Sequence, residues 1–89
     1  MDFRSVSVLI PVFNERYFIE QLIQQVLDAP LPAGMSRELI IVDDCSEDGT
    51  WEILGRLQAS KPGSLRLFRH ESNQGKGAAI QTAIQHATG

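Results

Sequence analysis

Apolar and polar residues alternate along this chain in blocks that predict a strand and then a helix, three times over. Short apolar runs predict buried strands at residues 6–12, 38–43 and 65–69. The third run is shorter and more polar than the others, so we expect it nearer an edge of the sheet. After each run, apolar side chains recur every three or four residues, which predicts helices over about residues 15–28, 49–59 and 78–87.

The same spacing predicts which side chains of the helices face inward. We expect them at Phe18, Ile19, Leu22, Ile23, Val26 and Leu27, then at Trp51, Leu54 and Leu57, and finally at Ile80, Ala83, Ile84 and Ala87. Asn14 is the expected N-cap of the first helix, because its side chain can accept a hydrogen bond from the first turn. Ser46 or Asp48 would cap the second helix in the same way.

Strands that alternate with helices predict an α/β fold with a mostly parallel sheet and helices on both faces, a three-layer βαβαβα arrangement joined by right-handed crossovers. Ligands of such open sheets bind at the carboxyl ends of the strands. The polar and glycine-rich segments fall at those ends, at residues 11–15, 43–46 and 70–76. The pattern therefore predicts a site at that edge of the sheet.

Composition and charge narrow the classes of function. The 89 residues make one small domain or part of a larger one, and a formal net charge of −3 gives no reason to expect a nucleic-acid partner. The single cysteine, Cys45, cannot form an internal disulfide. No signal peptide is visible at residues 1–4, and no apolar run reaches the length of about 20 residues that a membrane span needs. We therefore expect a cytoplasmic protein.

Asp43 and Asp44 end the second predicted strand. One carboxylate could accept hydrogen bonds from a ligand while the other orients the loop, because adjacent side chains of a strand point to opposite faces. Helix capping and turn formation, which aspartate performs often, account for the pair equally well.

The other two strand ends also carry candidate chemistry. Gly75 lets the backbone approach a ligand, and Lys76 at a helix N-terminus favours phosphate, although a flexible turn with a solvated lysine fits as well. Phe13 could stack on a base and Glu15 could accept from a ribose hydroxyl. The alternative is that Phe13 belongs to the core and that Glu15 is a charged residue in the first turn of the helix. His70 and His86 have no second ligand at metal spacing, so we interpret both as structural or surface residues.

Several familiar motifs fail here. A P-loop needs Ser or Thr after its Gly-Lys, and Gly77 stands there instead. A dinucleotide-binding fingerprint needs its glycines directly after the first strand. Residues 11–15, which stand there in this chain, contain no glycine. The acidic pair is reminiscent of response-regulator receiver domains, but there it follows the first strand, and a phospho-accepting Asp ends the third. Here His70 follows the third strand, so a signalling domain stays a remote alternative.

Taken together, the three strand-end segments resemble family 2 glycosyltransferases, enzymes of the GT-A fold that include polyprenyl-phosphate mannosyl- and glucosyltransferases. The matching segments, in order and spacing, are residues 7–15, 38–50 and 73–79. The resemblance implies nucleotide-binding roles for Pro11, Phe13, Glu15, Asp43, Asp44, Asn73, Gly75 and Lys76. The first three would line the base and ribose pocket, the acidic pair would recognise the base, and the last three would lie near the ribose or phosphates. Phe13 stands where the family more often has Tyr, and Cys45 where it usually has Gly or Asn.

The resemblance also implies an activity: transfer of a sugar from a UDP- or GDP-sugar to a polyprenyl phosphate or a glycan, with inversion at the anomeric carbon. Mg²⁺ or Mn²⁺ would stabilise the leaving diphosphate, and a carboxylate would deprotonate the acceptor. In the family, the Asp-x-Asp metal motif and the general base follow the segment matched here. Residues 1–89 are thus expected to form the donor-binding half of a catalytic domain, with no catalytic or metal-binding residue.

A different class of function stays open. The chain could be a non-catalytic nucleotide-binding or structural module, with no turnover of any sugar donor. In that case the open edge of the sheet would promote self-association.

Overall fold

A computed structural model describes residues 4–61, 63 and 65–87. Residues 1–3, on which part of the signal-peptide prediction falls, lie outside the described residues. Three strands alternate with three helices along the chain. Their bounds are β1 Arg4–Val12, α1 Ile19–Asp28, β2 Met35–Asp43, α2 Thr50–Ser60, β3 Leu65–Arg69 and α3 Lys76–His86.

The sheet is parallel, with β2 between β1 and β3. This confirms the predicted α/β class and the position of β3 at an edge. The register pairs Val12 with Asp43, and Asp43 with Arg69. The three strands therefore end at one level, and the β1–α1 loop (residues 13–18), the β2–α2 loop (44–49) and the β3–α3 loop (70–75) all leave the sheet at the same edge.

Pro11 lies within β1 without breaking the ladder. The carbonyl of Val12 accepts a hydrogen bond from the N–H of Asp44 at 2.8 Å, so the backbone groups of Val12 face β2. In a strand the facing direction alternates, and the nitrogen of Pro11 therefore turns to the open side of β1. Proline is tolerated on an edge strand in this orientation because no ladder bond is lost.

The core lies on both faces of the sheet. On one face, alternate β-strand residues pack against α1 and α2 in a cluster made of Ile10, Val12, Ile19, Ile23, Leu39, Ile41, Leu54 and Leu65. On the other face, Ile40 and Val42 pack against Ala79 and Ala83 of α3. Two small alanines bring α3 close to the sheet, which completes the three predicted layers.

The prediction that Asn14 caps a helix starting near residue 15 was wrong. Residues 15–18 form a turn, in which the carbonyl of Glu15 accepts from the N–H groups of Phe18 and Ile19, and α1 begins only at Ile19. Asn14 instead takes a left-handed backbone conformation, with φ of 51°. Its side chain accepts from the backbone N–H of Glu47 at 2.9 Å, because the β2–α2 loop offers that donor directly beside it.

In α1 and α3, fewer side chains face inward than the sequence predicts. Phe18 is 66% exposed, Leu22 is also exposed, and Ile84 on α3 faces outward. The later start of α1 removes Phe18 from the helical stripe, and the narrow contact of α3 with the sheet is made by Ala79 and Ala83. In α2, Leu54 is buried, and Trp51 and Leu57 are half-buried against the same cluster, as the spacing predicts.

Candidate nucleotide-binding site

A cavity of about 380 Å³ lies at the carboxyl edge of the sheet, between the β1–α1 and β3–α3 loops. We call it the strand-end cavity; its lining residues are Pro11, Val12, Phe13, Glu15, Asp44, Asn73, Gly75, Lys76 and Ala79. Seven of the eight residues predicted from the sequence are among them, and Asp43 is the exception. The volume is at the lower end of the range for small-molecule sites, about 300–1,000 Å³.

The alternation of side chains along β2 separates the two aspartates. Asp43 continues the face of Leu39 and Ile41, towards α1 and α2, whereas Asp44 continues the face of Ile40 and Val42, towards α3. Each carboxylate consequently organises a different loop.

Asp44 holds the β3–α3 loop. Its Oδ1 accepts from the backbone N–H of Gln74 at 2.8 Å and lies 2.8 Å from Nδ1 of His70, while its Oδ2 accepts from the N–H of Gly75 at 2.7 Å. A carboxylate offers about four lone-pair sites. Three are occupied by these groups, and the fourth, on Oδ2, has no hydrogen-bond partner among the described residues.

The ionised form of Asp44 is favoured despite its burial. Burial by itself raises the pKa of this carboxyl group, but the hydrogen bonds from Gln74, His70 and Gly75 outweigh it and hold the pKa below its ordinary value. Asp44 is 3% exposed. The cavity therefore presents a buried negative charge that accepts hydrogen bonds and cannot donate them.

Asp43 holds the β2–α2 loop on the opposite side. Its Oδ1 accepts from both the backbone N–H and the hydroxyl of Ser46. Its Oδ2, which is buried and forms no hydrogen bond within the described residues, lies 3.5 Å from Nε of Arg69. Asp43 thus stands behind the site and does not line it.

The β1–α1 loop is fixed by side chains of the β2–α2 loop and the start of α2. The backbone N–H groups of residues 14, 15 and 16 donate to Ser46 Oγ, Thr50 Oγ1 and Asp48 Oδ2, at 2.8, 3.0 and 3.2 Å. Three successive amides bonded in this way leave the loop little freedom. The positions of Phe13 and Glu15 at the cavity therefore depend on residues that do not touch the cavity.

Asp48 is itself held in this network. Its Oδ1 accepts from the N–H and the hydroxyl of Thr50, the first residue of α2. The N-cap position is Gly49 and carries no side-chain cap, so the prediction that Ser46 or Asp48 caps α2 was wrong, because both side chains are used to hold the loops. Burial raises the pKa of its carboxyl group, but the hydrogen bonds from Thr50 and the N–H of Arg16 prevail and lower it.

The start of α3 completes the cavity. Gly75 has φ of 94° and ψ of 161°, a conformation that only glycine adopts readily, and its N–H also lies 3.2 Å from Oδ1 of Asn73. This conformation turns the chain directly into α3, whose first residue is Lys76. The cavity therefore combines a lysine with the N-terminus of an 11-residue helix, two features that favour phosphate.

Ser46, Asp48, Thr50 and His70 were not predicted as parts of the site. Their contribution is to hold the loops, and the sequence signals it only as a capping pattern after β2. Arg69 pairs with Asp43, so His70, the next residue, lies beside Asp44. From this position its side chain reaches the Asp44 carboxylate. This juxtaposition depends on the strand order, which the sequence pattern does not state.

Two further properties concern the described residues as a whole. Among residues 4–61, 63 and 65–87, no three His, Cys, Asp or Glu side chains are arranged to hold a metal ion. Within the same residues, no helix combines the length and the hydropathy of a membrane span.

Comparison with known proteins gives a consistent result. The sequence model of glycosyl transferase family 2 matches residues 7–89. The chain is 33% identical over 85 residues to a dolichol-phosphate mannosyltransferase of Pyrococcus furiosus, covering 96% of this chain and 23% of that protein.

Two solved structures are similar in fold. The mannosyltransferase PcManGT of Pyrobaculum calidifontis, in complex with GDP-Man and Mn²⁺, superposes with a TM-score of 0.82 at 31% identity, over 96% of this chain and 24% of that one. TarS of S. aureus, in complex with UDP, superposes with a TM-score of 0.80 at 27% identity, over 98% of this chain and 25% of that one. The chain thus spans about a quarter of the length of the proteins that it matches, and its fold corresponds to the N-terminal half of the GT-A fold.

Proposed function

Because this chain belongs to glycosyl transferase family 2, we propose that the strand-end cavity binds the nucleotide of a nucleotide-sugar donor and that the whole protein transfers the sugar to an acceptor. The observation that carries the proposal is the convergence of all three strand-end segments on one cavity. It brings an acceptor for base N–H groups, an aromatic side chain and a phosphate-favouring helix start within reach of one ligand.

Each part of the nucleotide has a partner in this proposal. The free lone pair on Oδ2 of Asp44 accepts an N–H of the base, and Phe13, which is 44% exposed at the cavity, packs on its face. Glu15 accepts from the ribose hydroxyls. Lys76 and the first turn of α3 bind the diphosphate, with Gly75 allowing the close approach of the backbone. Asp43 acts through Ser46, which holds the β1–α1 loop that carries Phe13.

The donor is a UDP- or GDP-sugar, since both uracil and guanine present an N–H to a carboxylate. Support comes from the solved neighbours, one bound to GDP-Man and the other to UDP. A polyprenyl phosphate acceptor, reached at a membrane surface, is supported by the name of the Pyrococcus relative. The inverting course and a glycan as the other acceptor rest on the resemblance of the sequence motifs.

The chemical step is assigned to other parts of the whole protein. Among the described residues, no three His, Cys, Asp or Glu side chains are arranged to hold Mg²⁺ or Mn²⁺. The Mn²⁺ in the PcManGT complex supports a divalent ion in the full-length enzyme. The role that we propose for this chain is donor binding.

Titration of the ¹⁵N-labelled chain with UDP, GDP and uridine, followed by backbone amide shifts, tests the proposal. We expect UDP or GDP to shift amides in all three strand-end segments. Lys76→Ala should weaken diphosphate binding about tenfold and leave uridine binding nearly unchanged, because a lysine contacts only the phosphates. Lys61→Ala, which removes a lysine near the opposite edge of the sheet, is the matched control. If neither UDP nor GDP shifts these segments, the proposal fails.

A further inference from the structure

His70 lies behind the strand-end cavity and bridges two elements of the fold. Its Nδ1 is 2.8 Å from Oδ1 of Asp44, at the end of β2, and its Nε2 is 2.8 Å from Oγ1 of Thr82, on α3. The imidazole is nearly buried, with 9% of its side chain exposed. Its backbone N–H donates to the carbonyl of Asp43 at 2.9 Å, so both ends of the residue are fixed.

The direction of these hydrogen bonds follows from the charge on Asp44. Oδ1 also receives the N–H of Gln74, and an ionised carboxylate has no proton to donate, so Nδ1 of His70 must carry a hydrogen. In the neutral imidazole Nε2 is then an acceptor, and the hydroxyl of Thr82 donates to it. The bonds run in one direction, from Thr82 to His70 to Asp44.

We propose that His70 is a positioning residue of the nucleotide site, which uses its Nδ1–H to fix the Asp44 carboxylate in the orientation that leaves one lone pair of Oδ2 for the base. Asp44 sets the tautomer, and the hydroxyl of Thr82 donates to Nε2 and holds the ring in place. The inference rests on the proposed nucleotide-binding function, and it assigns to α3 a part in base recognition through two side chains that do not line the cavity.

Two substitutions separate the two ends of the imidazole. In His70→Asn, the amide nitrogen takes the place of Nδ1 and keeps the bond to Asp44. In His70→Gln, the amide takes the place of Nε2 and keeps the bond to Thr82, but leaves Asp44 Oδ1 with the Gln74 N–H alone. A hydrogen bond to a charged group is worth more than one between neutral groups, so the two variants should differ in affinity.

The experiment titrates wild type and variants with UDP and GDP, using the amide shifts of the folded protein. We expect His70→Gln to weaken binding about tenfold and His70→Asn to stay within about threefold of wild type. His86→Gln, which alters the histidine stacked on Phe68 at 3.8 Å, is the control and should bind as wild type. Thr82→Val should weaken binding more than Thr82→Ser, which keeps the hydroxyl.

A second readout is independent of affinity. The ¹⁵N shifts of the His70 ring should report a protonated Nδ1 and an unprotonated Nε2, and Thr82→Val should change them. Equal affinities for the Asn and Gln variants, or a ring protonated only at Nε2, would overturn the assignment of His70 while leaving nucleotide binding intact. If wild type binds neither UDP nor GDP, the proposed function itself fails, and the ring shifts still decide the tautomer.

Discussion

The backbone N–H of Asn14 donates to the hydroxyl oxygen of Ser46 at 2.8 Å, and the hydroxyl of Ser46 donates in turn to Asp43. Through this one hydroxyl, the carboxylate of Asp43, which does not line the cavity, holds the β1–α1 loop, which does.

Replacing Ser46 by alanine should therefore affect both stability and binding. Ser46→Ala leaves Asn14 N–H without its acceptor and removes one donor to the buried Asp43. We expect the free energy of unfolding to fall by roughly 1–3 kcal/mol, measured by urea denaturation. Nucleotide binding should weaken as well, because Phe13 and Glu15 lose their anchor. Ser36→Ala, at an exposed position of β2, is the control; equal effects of the two substitutions would contradict the anchoring role.

Acid should destabilise this protein through Asp44 and Asp48. Both carboxyl groups have a pKa held below the ordinary value of about 3.9 in the folded state. A group of this kind stabilises the folded state above its unfolded pKa, and the contribution is lost as the pH falls through the folded pKa. The free energy of unfolding should thus decline below about pH 4. Asp44→Asn should lower stability at neutral pH and flatten this decline; an unchanged acid slope in that variant would be evidence against the hydrogen-bonded carboxylate.

Two glycines near the start of α3 should respond oppositely to alanine. Gly75 has a backbone conformation that costs an alanine about 1–3 kcal/mol, although no atom stands within 4 Å of an added Cβ. Gly77 lies inside α3 with open space around it, and alanine there should stabilise by about 0.5–1 kcal/mol. Thermal unfolding of the two variants compares them directly. The same sign for both would show that the turn at Gly75 is not under this constraint.

For a non-catalytic module, the sequence predicts that an open edge of the sheet promotes association between chains, and in the structure β1 has such an open side. The backbone groups of Ser5 face the same open side as the nitrogen of Pro11. Ser5→Pro should therefore remove a donor from that edge while keeping the ladder to β2. We expect sedimentation velocity to show concentration-dependent association of the wild type and less of it in Ser5→Pro, at similar melting temperatures. A wild type that stays monomeric at millimolar concentration would end this prediction.

The sequence predicts the strands, the layers and most of the cavity lining, because apolar periodicity sets the elements and a parallel sheet brings their carboxyl ends together. It does not predict which aspartate faces the cavity. That outcome depends on whether Asp43 or Asp44 shares a face with the residues that pack on α3, and on the side of the sheet that α3 occupies.

The error in the predicted start of α1 has a similar cause. Asn14 is a good capping residue, but the β2–α2 loop competes for it by offering the N–H of Glu47 and the hydroxyl of Ser46. These contacts join positions more than 30 residues apart in the sequence, and local propensity carries no information about them. The interpretation of His70 as a structural or surface residue misses these contacts for the same reason, since its partners come from β2 and α3.

The common level at which the strands end has a consequence for how this chain tolerates change. A one-residue deletion within β2 would exchange the faces of Asp43 and Asp44 and so dismantle both loops at once. The connection at residues 29–34 leaves the sheet at the opposite edge, away from the cavity. Inserted segments, such as a reporter peptide or a surface-attachment tag, therefore belong between Pro30 and Gly34, where added length leaves the register of β2 and the ligand-facing edge untouched.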